Sequence, residues 1–230
     1  MDTTRTTRQI PLFLTALVAF FSALAALAVS NGHDAMAHGA EPHHAVAGGM
    51  TAKEVALHQS MRKLWEDHVT WTRLAIISLT TGSPDTEATV GRLLRNQTDI
   101  GDAVEPFYGK AAGDALTREL RSHILIAADV IAAAKAGDQA KLAEAQARWT
   151  ANADGIAAML SRANPRHWKP QTMKRELRTH LTLTTAEVVA RLRGDWTGDV
   201  AAYDKVHVHM LHLADLLSEG LVAQFPRRFR

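Results

Sequence analysis

The chain has no cysteine, and this absence removes several kinds of chemistry. None of its 230 residues is Cys, so disulfide bonds, thiolate metal sites and cysteine nucleophiles are excluded. Neither sign of charge is in large excess. The chain has 26 Lys and Arg residues and 24 Asp and Glu residues, for a formal net charge of +2. That balance gives no electrostatic case for binding nucleic acid.

Motifs typical of several enzyme classes are absent as well. The sequence has no Gly-rich phosphate loop, no His-Glu-x-x-His, no haem-attachment motif and no G-x-S-x-G. The paired Glu-x-x-His of ferritin-like di-iron bundles is missing, and Asp204-x-x-His207 is only a distant analogue of it. The sequence therefore leaves enzymatic activity undecided and leans against it.

The N-terminus has the three parts of a bacterial export signal. Arg5 and Arg8 precede an apolar run from Ile10 to Val29, and the A-x-A pattern Ala35-Met36-Ala37 follows. We expect residues 1–37 to be a signal peptide cleaved after Ala37, and the rest of the chain to be periplasmic or secreted.

The apolar run leaves a second interpretation open. It has about 20 residues, enough to span a bilayer, so residues 10–29 would then act as an uncleaved membrane anchor. Either way the remaining chain lies outside the cytoplasm. Residues 38–50 follow as a Gly-containing linker, in which His38, His43 and His44 offer weak capture of a divalent metal.

From residue 51 to 226 the apolar pattern is helical, with no sustained alternation of period two. We predict an all-α, antiparallel four-helix-bundle-like domain with one or two additional helical segments and a solvated basic tail at 227–230. Ser83, Asp138 and Thr197 are the predicted N-caps of three segments. The six segments run approximately over Ala52–Leu79, Pro84–Val104, Ala111–Ala136, 139–163, Pro170–Arg193 and 197–224.

Four of these segments each carry one histidine at or beside the apolar stripe, near the middle of the helix. These residues are His68, His123, His180 and His207. In an antiparallel bundle, mid-helix positions share a layer, so we expect the four imidazoles to converge, accompanied by Glu187 and Asp204. Such a set suits a divalent transition metal: zinc, iron, copper, nickel or manganese.

Three functions remain open for such a site. One is storage or sensing of the metal ion, one is a metal-dependent oxidase, and one is a metal-free bundle that binds a ligand or a protein partner. Five further polar residues are candidates to orient the ligand imidazoles, namely Asn96, Gln97, Asp99, Asn152 and Thr184.

Five sequence blocks, which span roughly residues 60 to 226, resemble a family of small secreted bacterial helical-bundle proteins. They are LWEDHVTWTR, LLRNQTDIGDAVEPFYG, RWTANADGIAAMLSRANP, HLTLTTAEVVARL and YDKVHVHMLHLADLLSEGLVAQFP. Some members carry enzyme names such as glycosyltransferase or acetylglutamate kinase. The resemblance implies the bundle fold and export, and it implies shared positions at His68, Asn96, Asp99, His123, Asn152, Asp154, His180, Glu187, Asp204 and His207.

The export prediction is tested by N-terminal sequencing of protein recovered outside the cytoplasm. We expect the mature chain to begin at His38, because Ala35 and Ala37 supply the small side chains of a cleavage site. An intact N-terminus on protein that sediments with membranes would instead establish the anchor.

Overall fold

The computed structural model describes residues 49–230. The predicted signal peptide and the linker histidines His38, His43 and His44 lie outside this range, so the predictions about them stay predictions. Within the described range, 88% of residues are helical and no strand occurs, which confirms the all-α prediction. In that range no helix combines the length and hydropathy needed to cross a membrane.

Six long helices form a closed ring in which each packs against the next and the last returns to the first. The first also contacts the third and fifth, so it lies innermost. All six exceed 22 residues, so the two additional segments of the predicted bundle are full-length helices. The helices are α1 (Ala52–Thr81), α2 (Thr86–Tyr108), α3 (Lys110–Ala136), α4 (Gln139–Ala163), α5 (Pro170–Arg193) and α6 (Trp196–Gln224).

Caps and glycines set the helix ends. Asp138 caps α4 as predicted, by accepting a hydrogen bond from the Lys141 N–H. Ser83 and Thr197 are not the caps, because α2 begins after Asp85 and the Asp195 side chain caps α6. Gly109 has a φ of 83° and is the only residue between α2 and α3. It makes α2 and α3 a tight antiparallel pair rather than one kinked helix.

The C-terminal residues contact the bundle through Phe229, while Arg227, Arg228 and Arg230 stay exposed. Phe229 is buried, and its carbonyl accepts a hydrogen bond from the Thr51 hydroxyl at 2.9 Å. Its ring stacks on Phe107, with 6.1 Å between centroids, and Lys53 Nζ donates to the Arg230 carbonyl at 2.7 Å. Burial of the Phe229 ring holds the C-terminus against the bundle although its neighbours are arginines. The sequence pattern alone did not reveal this contact.

Helices α2 and α3 approach each other closely at Gly101 and Gly113. A Cβ on Gly101 would lie 1.9 Å from Thr117 Oγ1 and 2.8 Å from the Gly113 carbonyl oxygen. The Thr117 side chain can rotate away, but the Gly113 backbone cannot move without separating the helices. This contact fixes the height of α3, and therefore of His123, relative to α2.

Gly101→Ala should therefore lower the free energy of unfolding by about 1–3 kcal/mol, the usual cost of overpacking. Gly155→Ala is the matched control, since Gly155 lies within α4 and a Cβ added there would meet nothing within 4 Å; it should add about 0.5–1 kcal/mol through helix propensity. Urea unfolding of both variants measures the difference, and equal effects would contradict the assigned contact.

Candidate functional site

Three of the predicted histidines meet in the interior. His68 on α1, His123 on α3 and His180 on α5 are only 2%, 4% and 4% exposed. The ring centroids of His68 and His180 are 5.8 Å apart, and those of His123 and His180 are 6.0 Å apart. We call these three side chains the imidazole layer. It lies near the middle of the three helices, as the stripe positions predict.

His123 has both ring nitrogens engaged by the protein. The Trp149 indole N–H donates to His123 Nε2 at 3.1 Å, and Asn152 Oδ1 lies 2.7 Å from His123 Nδ1. Because an indole can only donate, Nε2 holds the lone pair and Nδ1 carries the proton, which it donates to Asn152. His123 therefore has no lone pair left for a metal ion.

Gln97 fixes the tautomer of His68 in a similar way. Its Nε2 lies 2.8 Å from the Leu93 carbonyl, 3.1 Å from Asn96 Oδ1 and 3.3 Å from His68 Nδ1. The two oxygens show that this atom is the amide nitrogen, whose two hydrogens are shared among three acceptors. Because an amide nitrogen cannot accept a hydrogen bond, Nδ1 of His68 faces it with its lone pair and Nε2 carries the proton. Asn96 is itself held through its donation to the Leu64 carbonyl at 3.0 Å.

His180 has the weakest hydrogen bonding of the three. Its Nδ1 lies 3.5 Å from Thr184 Oγ1, one helical turn later on α5. Within residues 49–230, Nε2 of His180 and Nε2 of His68 have no hydrogen-bond partner. These two nitrogens are the free polar atoms of the imidazole layer.

All three imidazoles are neutral at pH 7. Burial lowers the pKa of His68 to about 3, with a further contribution from His123. Burial lowers the pKa of His123 to about 4. The pKa of His180 is well below its usual value, first because of burial and then because of repulsion from His68, His123 and His209. A protonated imidazole in this layer would be a buried charge with no anionic partner.

A cavity of about 30 Å³ adjoins the imidazole layer, and we call it the core cavity. Its remaining walls are aliphatic side chains and the indoles of Trp65 and Trp168. The Trp65 N–H is buried and has no hydrogen-bond partner within the described residues. The surface that the core cavity exposes is formed by apolar atoms, and the unpaired Trp65 N–H lies behind it. The other residues that line it are Met61, Ile100, Val104, Leu116, Leu120, His123, Ile156, Leu160, Trp168, Leu177, His180, Met210, Leu213, Leu217 and Leu221.

His207 and Asp204 are not part of the site. His207 Nε2 lies 3.2 Å from Glu66 Oε1 at the α1–α6 surface, and Asp204 is exposed. Helix α6 turns Val206 and Met210 inward, which places His207 at the edge facing α1. Apolar side chains occupy the interior positions of α6 because their burial breaks no hydrogen bonds with water.

Glu187 is buried but contacts none of the imidazoles. Its Oε1 accepts from Arg73 Nη1 at 2.8 Å, and the same guanidinium forms two hydrogen bonds with Asp199, at 2.9 and 3.0 Å. Arg191 also donates to Asp199, at 3.2 Å. Burial raises the pKa of Glu187 to about 7, although Arg73 acts in the opposite direction. This carboxylate therefore belongs to an ion-pair cluster between α1, α5 and α6.

The five predicted orienting residues divide in the same way. Gln97, Asn152 and Thr184 each contact one histidine, and Asn96 acts through Gln97. Asp99 is half-buried on α2 and makes no hydrogen bond to any of the three imidazoles.

Sequence reasoning missed several members of the site. Trp65 and Trp149 have the pattern of ordinary core residues, and only their N–H positions reveal a polar role. His209 lies off the main apolar stripe of α6, yet its Nε2 donates to the Glu176 carbonyl at 3.0 Å, and its charge acts on His180. The seven-residue spacing between His209 and Leu216, and the neighbouring Met210, were the available hints that His209 faces inward. The pattern did not show which side of α6 faces α5.

The predicted six-ligand metal site does not assemble. Across residues 49–230, no three His, Cys, Asp or Glu side chains are arranged to hold a metal ion. The physical reason is that Trp149 and Gln97 occupy lone pairs of His123 and His68, while the carboxylate of Glu187 is paired with Arg73.

Comparison with known proteins adds no family assignment, because no family model, curated protein or solved structure matches the chain.

The imidazole layer predicts acid sensitivity. Below about pH 6.5 its three imidazoles gain protons in the unfolded chain but stay neutral in the folded one. The free energy of unfolding therefore decreases as the pH is lowered. Glu187 opposes this, since its raised pKa makes the folded chain bind one proton between about pH 7 and 4.5. The net of about two protons corresponds to roughly 3 kcal/mol of unfolding free energy lost per pH unit between about pH 6 and 5.

Urea unfolding at several pH values measures this slope. His207→Gln, a change at the surface, is the control and should leave the slope unchanged. A free energy of unfolding that stays constant from pH 7 to 5 would show that the imidazoles already protonate in the folded chain.

Proposed function

We propose that this chain is a non-catalytic, metal-free binding bundle that holds one small uncharged ligand in the core cavity. The observation that carries the proposal is the core cavity itself, an apolar space beside three buried neutral imidazoles and the unpaired Trp65 N–H. A buried polar hydrogen without a partner costs about 1–3 kcal/mol, which a ligand that reaches the Trp65 N–H would recover.

The charge of the cavity wall favours an uncharged occupant. Its imidazoles are neutral because burial lowers their pKa values, and none of its lining residues is a carboxylate, lysine or arginine. An ion placed there would lose its hydration without gaining a counter-charge. Apolar lining with a few imidazoles is typical of small-molecule sites. The volume of the core cavity, about 30 Å³, limits the occupant to a molecule of a few heavy atoms.

The same hydrogen bonds argue against storage of a divalent metal. Metal ligation by His123 would break its bond with Trp149, and ligation by His68 through Nε2 would require the proton to move to Nδ1, opposite the Gln97 amide. Each rearrangement leaves a buried donor unpaired. The extracytoplasmic location predicted from residues 1–37 is compatible with a metal ion or an uncharged ligand, and we propose it for this chain.

The test is the content of the purified protein. Full-length protein made without a His-tag should contain no stoichiometric metal by elemental analysis, and denaturation should release an uncharged organic molecule detectable by mass spectrometry. His180→Leu, which removes an imidazole from the cavity wall, should reduce the amount released. His207→Leu, a surface histidine on α6, should not.

Two results would overturn the proposal. Zinc, iron, copper, nickel or manganese bound at one ion per chain, and lost in His180→Leu but not in His207→Leu, would restore the metal site. Release of no molecule, together with no stabilisation by any uncharged probe, would leave the imidazole layer as part of the core. Circular dichroism and thermal unfolding establish that each variant is folded before its content is compared.

A further inference from the structure

Four segments of the chain meet at one end of the bundle. Gln224, the last residue of α6, accepts a hydrogen bond from the Tyr108 hydroxyl at the end of α2 and donates one to the Ala163 carbonyl at the end of α4. The start of α1 joins them, because the Thr51 hydroxyl donates to the Phe229 carbonyl. The α1 N-terminus, the α2–α3 turn, the α4–α5 connection and the C-terminal residues therefore share one end face.

This end face carries an excess of cations. Its segments hold eight exposed Lys and Arg side chains against four Asp and Glu side chains. The segments are residues 49–54, 105–114, 162–170 and 219–230. We call the eight cations the basic end, and they are Lys53, Lys110, Arg162, Arg166, Lys169, Arg227, Arg228 and Arg230.

The opposite end of the bundle has the reverse balance. Its three turns, in residues 78–89, 133–144 and 190–199, hold four cations against six acids. Charge is thus separated along the bundle even though the formal net charge of the whole chain is only +2. The field of such a distribution attracts an anionic partner to the basic end and away from the opposite one.

Most of the basic end has no acidic neighbour. Lys110 lies 2.7 Å from Asp114 and 3.7 Å from Glu105. Within residues 49–230, the other seven cations form no salt bridge. Their charges are therefore available to an external anion instead of being paired inside the protein.

The C-terminal cations are held in place on the bundle. The Arg228 guanidinium lies over the Phe107 ring, 5.5 Å from its centroid, and Lys53 Nζ donates to the Arg230 carbonyl at 2.7 Å. Burial of Phe229 between these arginines fixes the same segment. The basic end is therefore a surface of positioned charges.

Two exposed apolar side chains lie among these cations. Met50 is 52% exposed and Val55 is 38% exposed, on either side of Lys53 in the chain. Cations mixed with exposed apolar side chains are typical of surfaces that lie on a bilayer, because the cations attract anionic head groups while the apolar groups enter the head-group region. A soluble polyanion would gain nothing from Met50, so this combination favours a membrane.

The connection to the N-terminal segment is at the same end. The described residues begin at Gly49, two residues before Thr51. Residues 30–48 connect Gly49 to the apolar run from Ile10 to Val29. A bilayer that contains this run, during export or as an anchor, is therefore tethered to the basic end and not to the α5–α6 turn.

We infer that the basic end docks on the surface of a membrane that contains anionic lipids. The cations contact the lipid phosphates, Met50 enters the head-group region, and the helices point away from the bilayer. This surface is separate from the core cavity, so the inference does not depend on the ligand proposed for that cavity.

The experiment uses the chain as it is recovered from outside the cytoplasm and vesicles of two compositions. One contains equal parts of phosphatidylglycerol and phosphatidylcholine, and the other contains phosphatidylcholine alone. Sedimentation at increasing lipid concentration measures binding. At about 0.1 M salt the protein should bind the anionic vesicles at least about tenfold more tightly, and about 1 M salt should remove the difference, because the Debye length falls from about 10 Å to about 3 Å.

Two matched triple variants test where the membrane binds. The first neutralises three cations of the basic end, Arg166→Gln, Lys169→Gln and Arg227→Gln. The second neutralises three exposed cations on the sides of the bundle, Arg95→Gln, Arg118→Gln and Lys205→Gln. Each removes two arginines and one lysine. The first should weaken binding to anionic vesicles about 100-fold, at about fivefold per cation, and the second by less than about threefold. Circular dichroism establishes that both are folded.

Single labels test the orientation, which the absence of cysteine permits. Ala223→Cys near the end of α6 and Ala88→Cys near the start of α2 place a fluorophore at the basic end and at the opposite end, about 35–45 Å apart along the helices. Energy transfer to acceptor-labelled lipids should be stronger from Ala223→Cys. This measurement replaces sedimentation for a chain that keeps residues 10–29, since such a chain sediments with both kinds of vesicle.

Three results would overturn the inference. One is equal weakening by the two triple variants, and another is equal energy transfer from the two labels. The third is energy transfer from Ala223→Cys that is the same with anionic and neutral vesicles and does not change with salt. Heparin is the soluble control: if it binds more tightly than the anionic vesicles and displaces them, the partner of the basic end is a soluble polyanion and not a membrane.

Discussion

The burial of three neutral imidazoles in one layer is the constraint on which the rest of the interior depends. Each ring must find hydrogen-bond partners away from water, or its burial costs stability. Trp149 and Asn152 provide both partners of His123, and Gln97 provides one for His68. Among the described residues, the Trp65 N–H and Gln97 Oε1 stay buried without a partner beside this layer. The core cavity adjoins the same layer, so packing and hydrogen bonding are both incomplete in this part of the interior.

Charged groups follow the opposite rule and stay together away from this layer. Arg73 joins Glu187 and Asp199, and Arg191 completes the cluster at the end of the bundle where α5 turns into α6. Both carboxylates are almost fully buried, so removing a partner would leave an uncompensated charge. This arrangement holds α1, α5 and α6 together while it keeps carboxylates out of the imidazole layer, which is why convergence of the histidines does not create a metal site.

The opposite end of the bundle is closed by aromatic packing instead of charge. Trp168 is buried against Gly220, where a side chain would meet the indole nitrogen at 1.9 Å, and Asn164 donates to the Gly220 carbonyl at 2.8 Å. Tyr108 lies beside Trp168 and Phe225, with centroid separations of 6.0 and 5.5 Å. The result is an aromatic cluster inside this end that adjoins the core cavity, so buried ion pairs close one end of the interior and aromatic rings close the other.

The sequence by itself determined the helices and the inward direction of His68, His123 and His180, because apolar side chains at spacings of three and four define one face of each helix. It also pointed to Gln97, Asn152 and Thr184 as their neighbours. Only the tertiary structure decided that α6 turns His209 toward α5 and His207 toward α1, that Glu187 meets Arg73, and that Trp149 takes the lone pair of His123. These outcomes depend on the rotation of each helix about its axis and on which helices adjoin, and a periodicity shared by inner and edge positions does not specify either.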